Sequence, residues 1–330
     1  MKYPSLSLSL RSLIFLCSFA LPLHFSVAKI SPREALVKPV VLGEYEIASV
    51  WDLVLSPDGK LLYLTNPSGS KIQMVDLKTM KISSIPGSFR RPMGLAINPT
   101  NEGLYFTDPG LVSVDSLTGG IEQSILKGVK GADLAFGPRY KDLYIVAGSV
   151  DSAKNKYNRI IKVSMREGSV TSRVFIGPEY LNDPTRIAID RDEHDLYWYD
   201  EGSDAIVQSD LDGNNIIPIH YVYGTITGFF YDADSDVAYY SVCEGGKIYR
   251  LDRKTGKEVV LAKGLNEPKG VTYNAKKQKL YTFETHSEDC AEEPTFWDNI
   301  KGDFWGLLKG SKEETKHTVK KAKLLEFDLQ

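Results

Sequence analysis

The chain has 330 residues, and its 43 acidic and 40 basic side chains give a formal net charge of −3 at neutral pH. This mildly acidic balance, without a long basic run, argues against nucleic acid as a partner. The length is large for one ordinary domain but common for a single domain built from repeats.

Residues 1–28 have the pattern of a secretory signal peptide. Lys2 and Arg11 give a positive start, residues 12–23 are mainly apolar, and residues 26–28 offer small side chains for cleavage. The apolar stretch is too short to span a membrane, and no later stretch reaches the roughly 18 apolar residues that a span needs. We therefore predict a secreted, extracellular protein without a membrane span, with a short lead at 29–36 and one domain at 37–330.

A pair formed by an apolar residue and a tyrosine recurs along the chain and defines six sequence repeats, which we number one to six. Each pair follows a short apolar segment by about ten residues. The six pairs are Leu62-Tyr63, Leu104-Tyr105, Leu143-Tyr144, Leu196-Tyr197, Ala238-Tyr239 and Leu280-Tyr281.

Each repeat contains about four short strand patterns within roughly 40 residues, which is typical of a β-propeller blade. The first strand pattern of each repeat is apolar throughout, as expected for an inner strand that is buried on both faces. We therefore predict an all-β, six-bladed β-propeller. The last repeat lacks an outer strand, and residues 37–45 are expected to supply it and to close the ring.

Two repeats resemble the YWTD repeat of the LDL-receptor class B family. Repeat four carries Tyr197-Trp198-Tyr199-Asp200, and repeat two carries Tyr105-Phe106-Thr107-Asp108. This resemblance implies a propeller in which Asp108 and Asp200 have a structural role. The other four repeats lack the aspartate, so the resemblance supports the fold more than a receptor function.

The loops that lead into the inner strands of a propeller converge at one mouth of its central channel. Polar residues stand directly before several of the inner strands and could form a binding site there. They could equally pair with one another across the channel. The candidate residues are Asp52, Asp133, Thr185, Arg186 and Lys269.

The residues at the same positions also indicate whether the chain carries the metal site of a propeller enzyme. Gluconolactonase-type propellers, which are distantly similar, bind a divalent cation there through Glu, Asn and Asp. The positions here carry residues such as Met93, Ala132 and Thr227, so no metal site, catalytic residue or cofactor is predicted, although a structural calcium ion is compatible with the sequence. We expect a binding protein rather than an enzyme.

Repeat six contains a long insertion at about residues 285–320. Apolar residues recur within it at three- and four-residue steps, which predicts an amphipathic helix of about four turns. The helix either packs on the propeller or presents Trp297, Phe304 and Trp305 to a ligand. Cys243 and Cys290 lie in corresponding loops of adjacent repeats, and we expect them to form a disulfide in an oxidising compartment.

These observations predict a secreted binding protein that recognises an extracellular protein or a small ligand at the channel mouth. Two alternatives remain open at this point. One is a hydrolase or lyase that acts at the same mouth, similar to lactonases or to strictosidine synthase. The other is a component of the extracellular matrix.

Overall fold

The computed structural model describes residues 36–100, 103–108, 110–117, 123–150, 156–166, 169–285 and 321–330. All of them belong to one compact unit, Ala35–Gln330. The predicted signal peptide and the predicted helix with Trp297, Phe304 and Trp305 lie outside the described residues. No helix in the described part of the chain is long and apolar enough to cross a membrane.

The described residues form an all-β propeller of antiparallel sheets, accompanied by three short 3₁₀ turns at Pro138–Tyr140, Pro178–Tyr180 and Glu201–Ser203. The sheet of repeat one contains β2 (Leu53–Leu55), β3 (Leu61–Asn66), β4 (Lys71–Asp76) and β5 (Lys81–Ser84). The sheet of repeats two and three contains β6 (Leu95–Asn98), β7 (Gly103–Asp108), β8 (Gly110–Ser116), β9 (Gln123–Phe136), β10 (Asp142–Val150), β11 (Lys156–Arg166) and β12 (Ser169–Ile176).

The remaining three sheets have four strands each. Repeat four forms β13 (Pro184–Asp190), β14 (Asp195–Asp200), β15 (Ala205–Asp210) and β16 (Ile217–Tyr221). Repeat five forms β17 (Ile226–Asp232), β18 (Val237–Val242), β19 (Lys247–Asp252) and β20 (Lys257–Ala262). Repeat six forms β21 (Pro268–Asn274), β22 (Lys279–Thr285) and β23 (Lys321–Asp328), and β1 (Val40–Glu46) completes it.

The described residues therefore form five sheets, and the prediction of six separate blades was wrong. The cause is β9, a strand of 14 residues that pairs with β8 through its first half and with β10 through its second. Residues 123–136 contain no proline, whereas Pro92 precedes the inner strand of repeat two and Pro184 and Pro268 begin the inner strands of repeats four and six. Without such a break the outer strand of repeat two continues as the inner strand of repeat three.

The expected closure of the ring by the N-terminal segment is confirmed. Strand β1 pairs antiparallel with β23, with Val40 opposite Glu326 and Tyr45 opposite Ala322. The inner strands β2, β6, β9, β13, β17 and β21 each contact the next, and β21 contacts β2. Six inner strands from five sheets thus form a closed ring, in which each inner strand lies beside the inner strands of its two neighbours.

The tyrosines of the repeated pairs pack between neighbouring repeats. Tyr63, Tyr144 and Tyr197 are almost fully buried, as is Trp198. Tyr197 of repeat four stacks on Tyr231 of repeat five with ring centroids 4.6 Å apart. The aromatic rings therefore supply much of the apolar contact that holds adjacent repeats together.

The two YWTD-like aspartates anchor the loops that lead into their own inner strands. Asp108 accepts hydrogen bonds from the backbone N–H groups of Arg90 and Arg91, at 3.1 and 2.5 Å. Asp200 accepts from those of Asn182 and Asp183, at 2.8 and 2.9 Å. Their role is structural, as the resemblance implied.

Other repeats use different side chains for the same purpose. Asn66 accepts from Ser49 N–H at 3.2 Å, and Glu284 accepts from Asn266 N–H at 2.7 Å. The amide oxygen of Asn66 and the longer side chain of Glu284 thus accept from backbone N–H groups, as Asp108 and Asp200 do. Hydrogen bonds from the loop backbone to a side chain at this position therefore occur in more repeats than the aspartate of the motif does.

Glycine permits the closest approach between two inner strands. A β-carbon on Gly228 would lie 2.4 Å from the carbonyl carbon of Gly270, which is closer than atoms in a packed protein can come. Strands β17 and β21 therefore approach through their backbones at this level of the channel.

Substituting Gly228→Ala should lower the free energy of unfolding by about 3 kcal/mol, because the added methyl group overlaps the Gly270 backbone. Gly256→Ala is the control, since Gly256 has a φ of +66° but nothing within 4 Å of the new carbon. That substitution should cost only about 1 kcal/mol through backbone strain. Urea denaturation measures both, and equal losses would contradict the proposed close approach.

Candidate functional site

A channel runs through the ring of inner strands and has two different ends. We call the end where loops lead into the inner strands the entrance face, and the end where the inner strands turn into the second strands the exit face. The channel contains a cavity of about 520 Å³ that extends from Asp52 and Asp133 to the exit-face turns.

The predicted polar residues of the entrance face are not open to solvent. Asp133, Thr185, Arg186 and Lys269 are all at least nine-tenths buried, and Asp52 is half-buried. The structure brings Asp52, Asp133 and Arg186 close enough to influence one another's charge, while Lys269 pairs elsewhere.

Each of the two aspartates joins two inner strands. The carboxylate of Asp52 accepts the N–H of Leu53 at 2.8 Å and, across to repeat two, the N–H of Leu95 at 2.8 Å. Asp133 has the same arrangement two repeats further round the ring. It accepts from Leu134 at 2.8 Å and from Ile187 of repeat four at 2.9 Å. We call these two interactions the carboxylate staples.

Arg186 and Trp51 close the channel above the staples. The guanidinium of Arg186 lies 4.2 Å from the centre of a Trp51 ring, and its Nη2 donates to the Thr227 carbonyl at 2.9 Å. Trp51 Nε1 donates to the Ala132 carbonyl at 3.0 Å. Repeats one, three, four and five are thereby linked across the entrance face by two side chains.

Burial raises the pKa of Asp52 to about 6, against the opposing effects of Arg186 and of the two backbone amides. Burial also raises the pKa of Asp133 well above its usual range, and the charge of Asp52 raises it further. Arg186 is the cation that offsets these carboxylates in a region from which water is largely excluded.

Lys269 and Thr185 do not complete the predicted polar ring. Lys269 Nζ lies 3.0 Å from Glu267, whose other carboxylate oxygen accepts from Thr285 Oγ1 at 3.0 Å. Thr185 is buried beside Arg186, and its Oγ1 finds no hydrogen-bond partner among the described residues. The five residues therefore divide into a staple cluster and a separate buried ion pair.

The staple cluster is a poor match to a divalent cation site. Both carboxylates already accept two backbone hydrogen bonds, and the neighbouring guanidinium repels a cation. Among the described residues no three His, Cys, Asp or Glu side chains come together as metal ligands. The Glu, Asn and Asp ligands expected of a gluconolactonase-type site are missing from these positions.

A second surface on the entrance face could not be predicted from the sequence. Tyr221 at the end of β16 is 66% exposed, and Tyr223 in the connection into repeat five is 93% exposed. Tyr180, before repeat four, is 59% exposed. Acidic residues accompany them. We call this set the tyrosine–acid surface, and it comprises Tyr180, Glu201, Asp204, Tyr221, Tyr223 and Glu244.

Backbone hydrogen bonds hold the loops of this surface together. Val222 N–H donates to the Asp204 carbonyl at 2.8 Å, and Thr225 N–H donates to the Glu244 carboxylate at 2.7 Å. Val222 and Thr225, which flank Tyr223 in the chain, are thereby bound to the loops that carry Asp204 and Glu244. Burial, and then the nearby charge of Asp183, raises the pKa of Glu201 to about 7.

Cys243 is buried, with 5% of its surface exposed, and its expected partner Cys290 lies outside the described residues. The disulfide between them stays a prediction. The amphipathic helix of the insertion likewise stays a prediction.

Comparisons with known proteins place the chain among β-propellers. It matches a luciferin-regenerating enzyme with a TM-score of 0.62 and 12% identity, covering 88% of this chain and 95% of that one. Regucalcin, a calcium-binding protein from Agrobacterium tumefaciens, matches with a TM-score of 0.62, 14% identity and the same coverage.

A structure of a nidogen–laminin complex contains a chain that matches with a TM-score of 0.54 and 16% identity, covering 63% of this chain and 78% of that one. No protein-family model matches the sequence, and neither does any curated protein. At these identities the similarity shows the fold, which includes propellers of binding proteins and of lactonase-like enzymes.

Replacing Asp133 with alanine should lower the free energy of unfolding by about 2–4 kcal/mol, because the N–H groups of Leu134 and Ile187 lose a charged acceptor. Asp192→Ala is the matched control on an exposed turn and should change stability by less than about 0.5 kcal/mol. Guanidinium chloride denaturation of both variants measures this difference. Equal stability of the two variants would show that the staple does not hold the strands.

Proposed function

We propose that this protein is an exported binding propeller that recognises an extracellular protein partner through the tyrosine–acid surface of its entrance face. The exposure of Tyr221 and Tyr223 beside Asp204 and Glu244 carries the proposal. Export rests on the signal-peptide pattern of residues 1–28.

Exposed tyrosines suit a protein interface for a physical reason. A tyrosine offers a large contact area, loses little side-chain entropy on binding and keeps a hydroxyl for hydrogen bonding. Folding does not need Tyr223 at this position, because 93% of its surface faces solvent. The acidic neighbours select a partner segment that carries lysine or arginine.

The entrance-face channel mouth gives less support to catalysis or to small-ligand binding. Asp52 and Asp133 direct their carboxylate oxygens to backbone amides, and Arg186 lies against Trp51. These groups already make contacts that hold the inner strands together. The similarity to a chain in the nidogen–laminin complex also supports a function in protein recognition.

The proposal predicts which peptides the protein selects. A phage-displayed library of random peptides, panned on the purified protein, should yield sequences with two or more basic residues beside an apolar one. Tyr221→Ser with Tyr223→Ser should weaken binding of a selected synthetic peptide at least about tenfold, because the tyrosines supply the contact area.

The control pair is Val170→Ser with Val174→Ser, which removes two half-exposed apolar side chains from β12. It should leave peptide affinity unchanged. Selection of acidic or uncharged peptides, or equal weakening by both pairs, would refute the proposed surface.

The raised pKa of Glu201 predicts a pH dependence of peptide binding. The ionised carboxylate of Glu201 attracts a basic peptide. The affinity for the peptide should therefore fall as the pH drops through about 7 and Glu201 becomes protonated. Glu201→Gln should bind with an affinity that changes little between about pH 6 and 8. Fluorescence anisotropy of a labelled peptide measures both, and an identical pH profile for the two proteins would contradict this role of Glu201.

A further inference from the structure

The exit face opens into the channel, in contrast to the closed entrance face. Asp58, Asp234, Lys276 and Lys277 stand at the rim and are exposed, while Asp52 and Asp133 form the closed end of the same cavity. The cavity of about 520 Å³ is in the size range of small-molecule sites in proteins. A ligand can therefore reach the lumen from the exit face.

Apolar side chains of the inner strands line the lumen between its two ends, together with polar atoms of the same strands. Half-buried side chains of the inner strands face it, including Leu55, Ala135, Phe230 and Tyr273. From Asp52 to Ser56 the strand makes four residue steps, which corresponds to a depth of roughly 13 Å. A space of this depth can hold an extended hydrocarbon chain along its length.

The charges at the two ends of the cavity differ. Lys276 and Lys277 lie in the turn after β21, and Arg191 lies in the turn after β13, against the ring of Tyr140 at 5.1 Å. Among the described residues that line the rim, the acidic ones are Asp58, whose carboxylate lies 2.9 Å from Lys60, and Asp234, against the basic Arg191, Lys276 and Lys277. The rim therefore has an excess of positive charge.

The closed end does not attract an anion. Asp52 and Asp133 occupy it, and their oxygens accept backbone hydrogen bonds. A negatively charged group is consequently stabilised at the rim and repelled from the interior.

We propose that the channel binds a straight-chain carboxylate, whose hydrocarbon chain lies in the lumen and whose carboxylate lies at the exit-face rim beside Lys276, Lys277 and Arg191. This site is on the face opposite to the tyrosine–acid surface. It does not depend on the function proposed for that surface.

Isothermal titration calorimetry with octanoate, decanoate and dodecanoate tests the site. Affinity should rise about fourfold for each added methylene, since each buries further apolar surface. Dodecanol, which lacks the charge, should bind at least about tenfold more weakly than dodecanoate. Absent binding of dodecanoate, or an affinity that does not depend on chain length, would overturn the proposal.

Two kinds of variant locate the site. Lys276→Glu with Lys277→Glu should weaken dodecanoate binding at least about tenfold. The control pair, Lys78→Glu in the turn after β4 with Lys81→Glu at the exposed start of β5, should have no effect. Ala135→Trp should abolish binding by filling the lumen. If Ala135→Trp fails to fold, the comparison of the two charge-reversed pairs still tests the site. Equal dodecanoate affinities of the two pairs would overturn the proposal.

The same variants separate this proposal from the function of the entrance face. Lys276→Glu with Lys277→Glu should leave binding of the selected basic peptide unchanged, because its charges lie at the other end of the channel. A loss of both ligands together would point to unfolding, which thermal denaturation monitored by circular dichroism measures directly.

Discussion

The two carboxylate staples are the interaction on which the rest of the structure depends. Asp52 joins β2 to β6 and Asp133 joins β9 to β13, each through one hydrogen bond within its own strand and one to the next repeat. Buried carboxylates need a compensating cation, which Arg186 supplies from β13. The position of Arg186 in turn places Trp51 across the entrance face, so the same groups that hold the ring also close the channel.

The architecture could largely be predicted from the sequence because each repeat carries its own local pattern. The apolar–tyrosine pairs located the second strands, and the missing outer strand of repeat six implied the pairing of β1 with β23. The number of sheets could not be predicted in the same way. Strand β9 continues from repeat two into repeat three over Gln123–Phe136, which contains no proline. Counting repeats in the sequence does not show that two of them share one strand.

The candidate site was partly predictable for a related reason. Asp52, Asp133 and Arg186 stand directly before inner strands, so their gathering at one end of the channel follows from the repeat. Their hydrogen-bond partners do not follow, because Leu95, Ile187 and Trp51 lie in other repeats and depend on how the repeats pack. The tyrosine–acid surface was missed because the exposed Tyr223 and the buried Tyr197 are the same residue type, and only the folded chain distinguishes them.

The channel is therefore asymmetric, with scaffold contacts at its entrance face and an open lumen at its exit face. This asymmetry has a consequence for the fold itself. Within the described ring, the guanidinium of Arg186 is the cation that offsets the two staple carboxylates. Folding of this chain should then depend on Arg186 and not on a divalent cation.

Thermal unfolding of the purified protein, of the same protein dialysed against EDTA, and of the Arg186→Met variant tests this account most directly. It predicts that EDTA leaves the unfolding midpoint unchanged, while Arg186→Met lowers the midpoint by at least about 5 °C because two buried carboxylates lose their cation. Arg166→Met, on the exposed end of β11, should have little effect. A midpoint that falls on EDTA treatment but not in Arg186→Met would contradict the account.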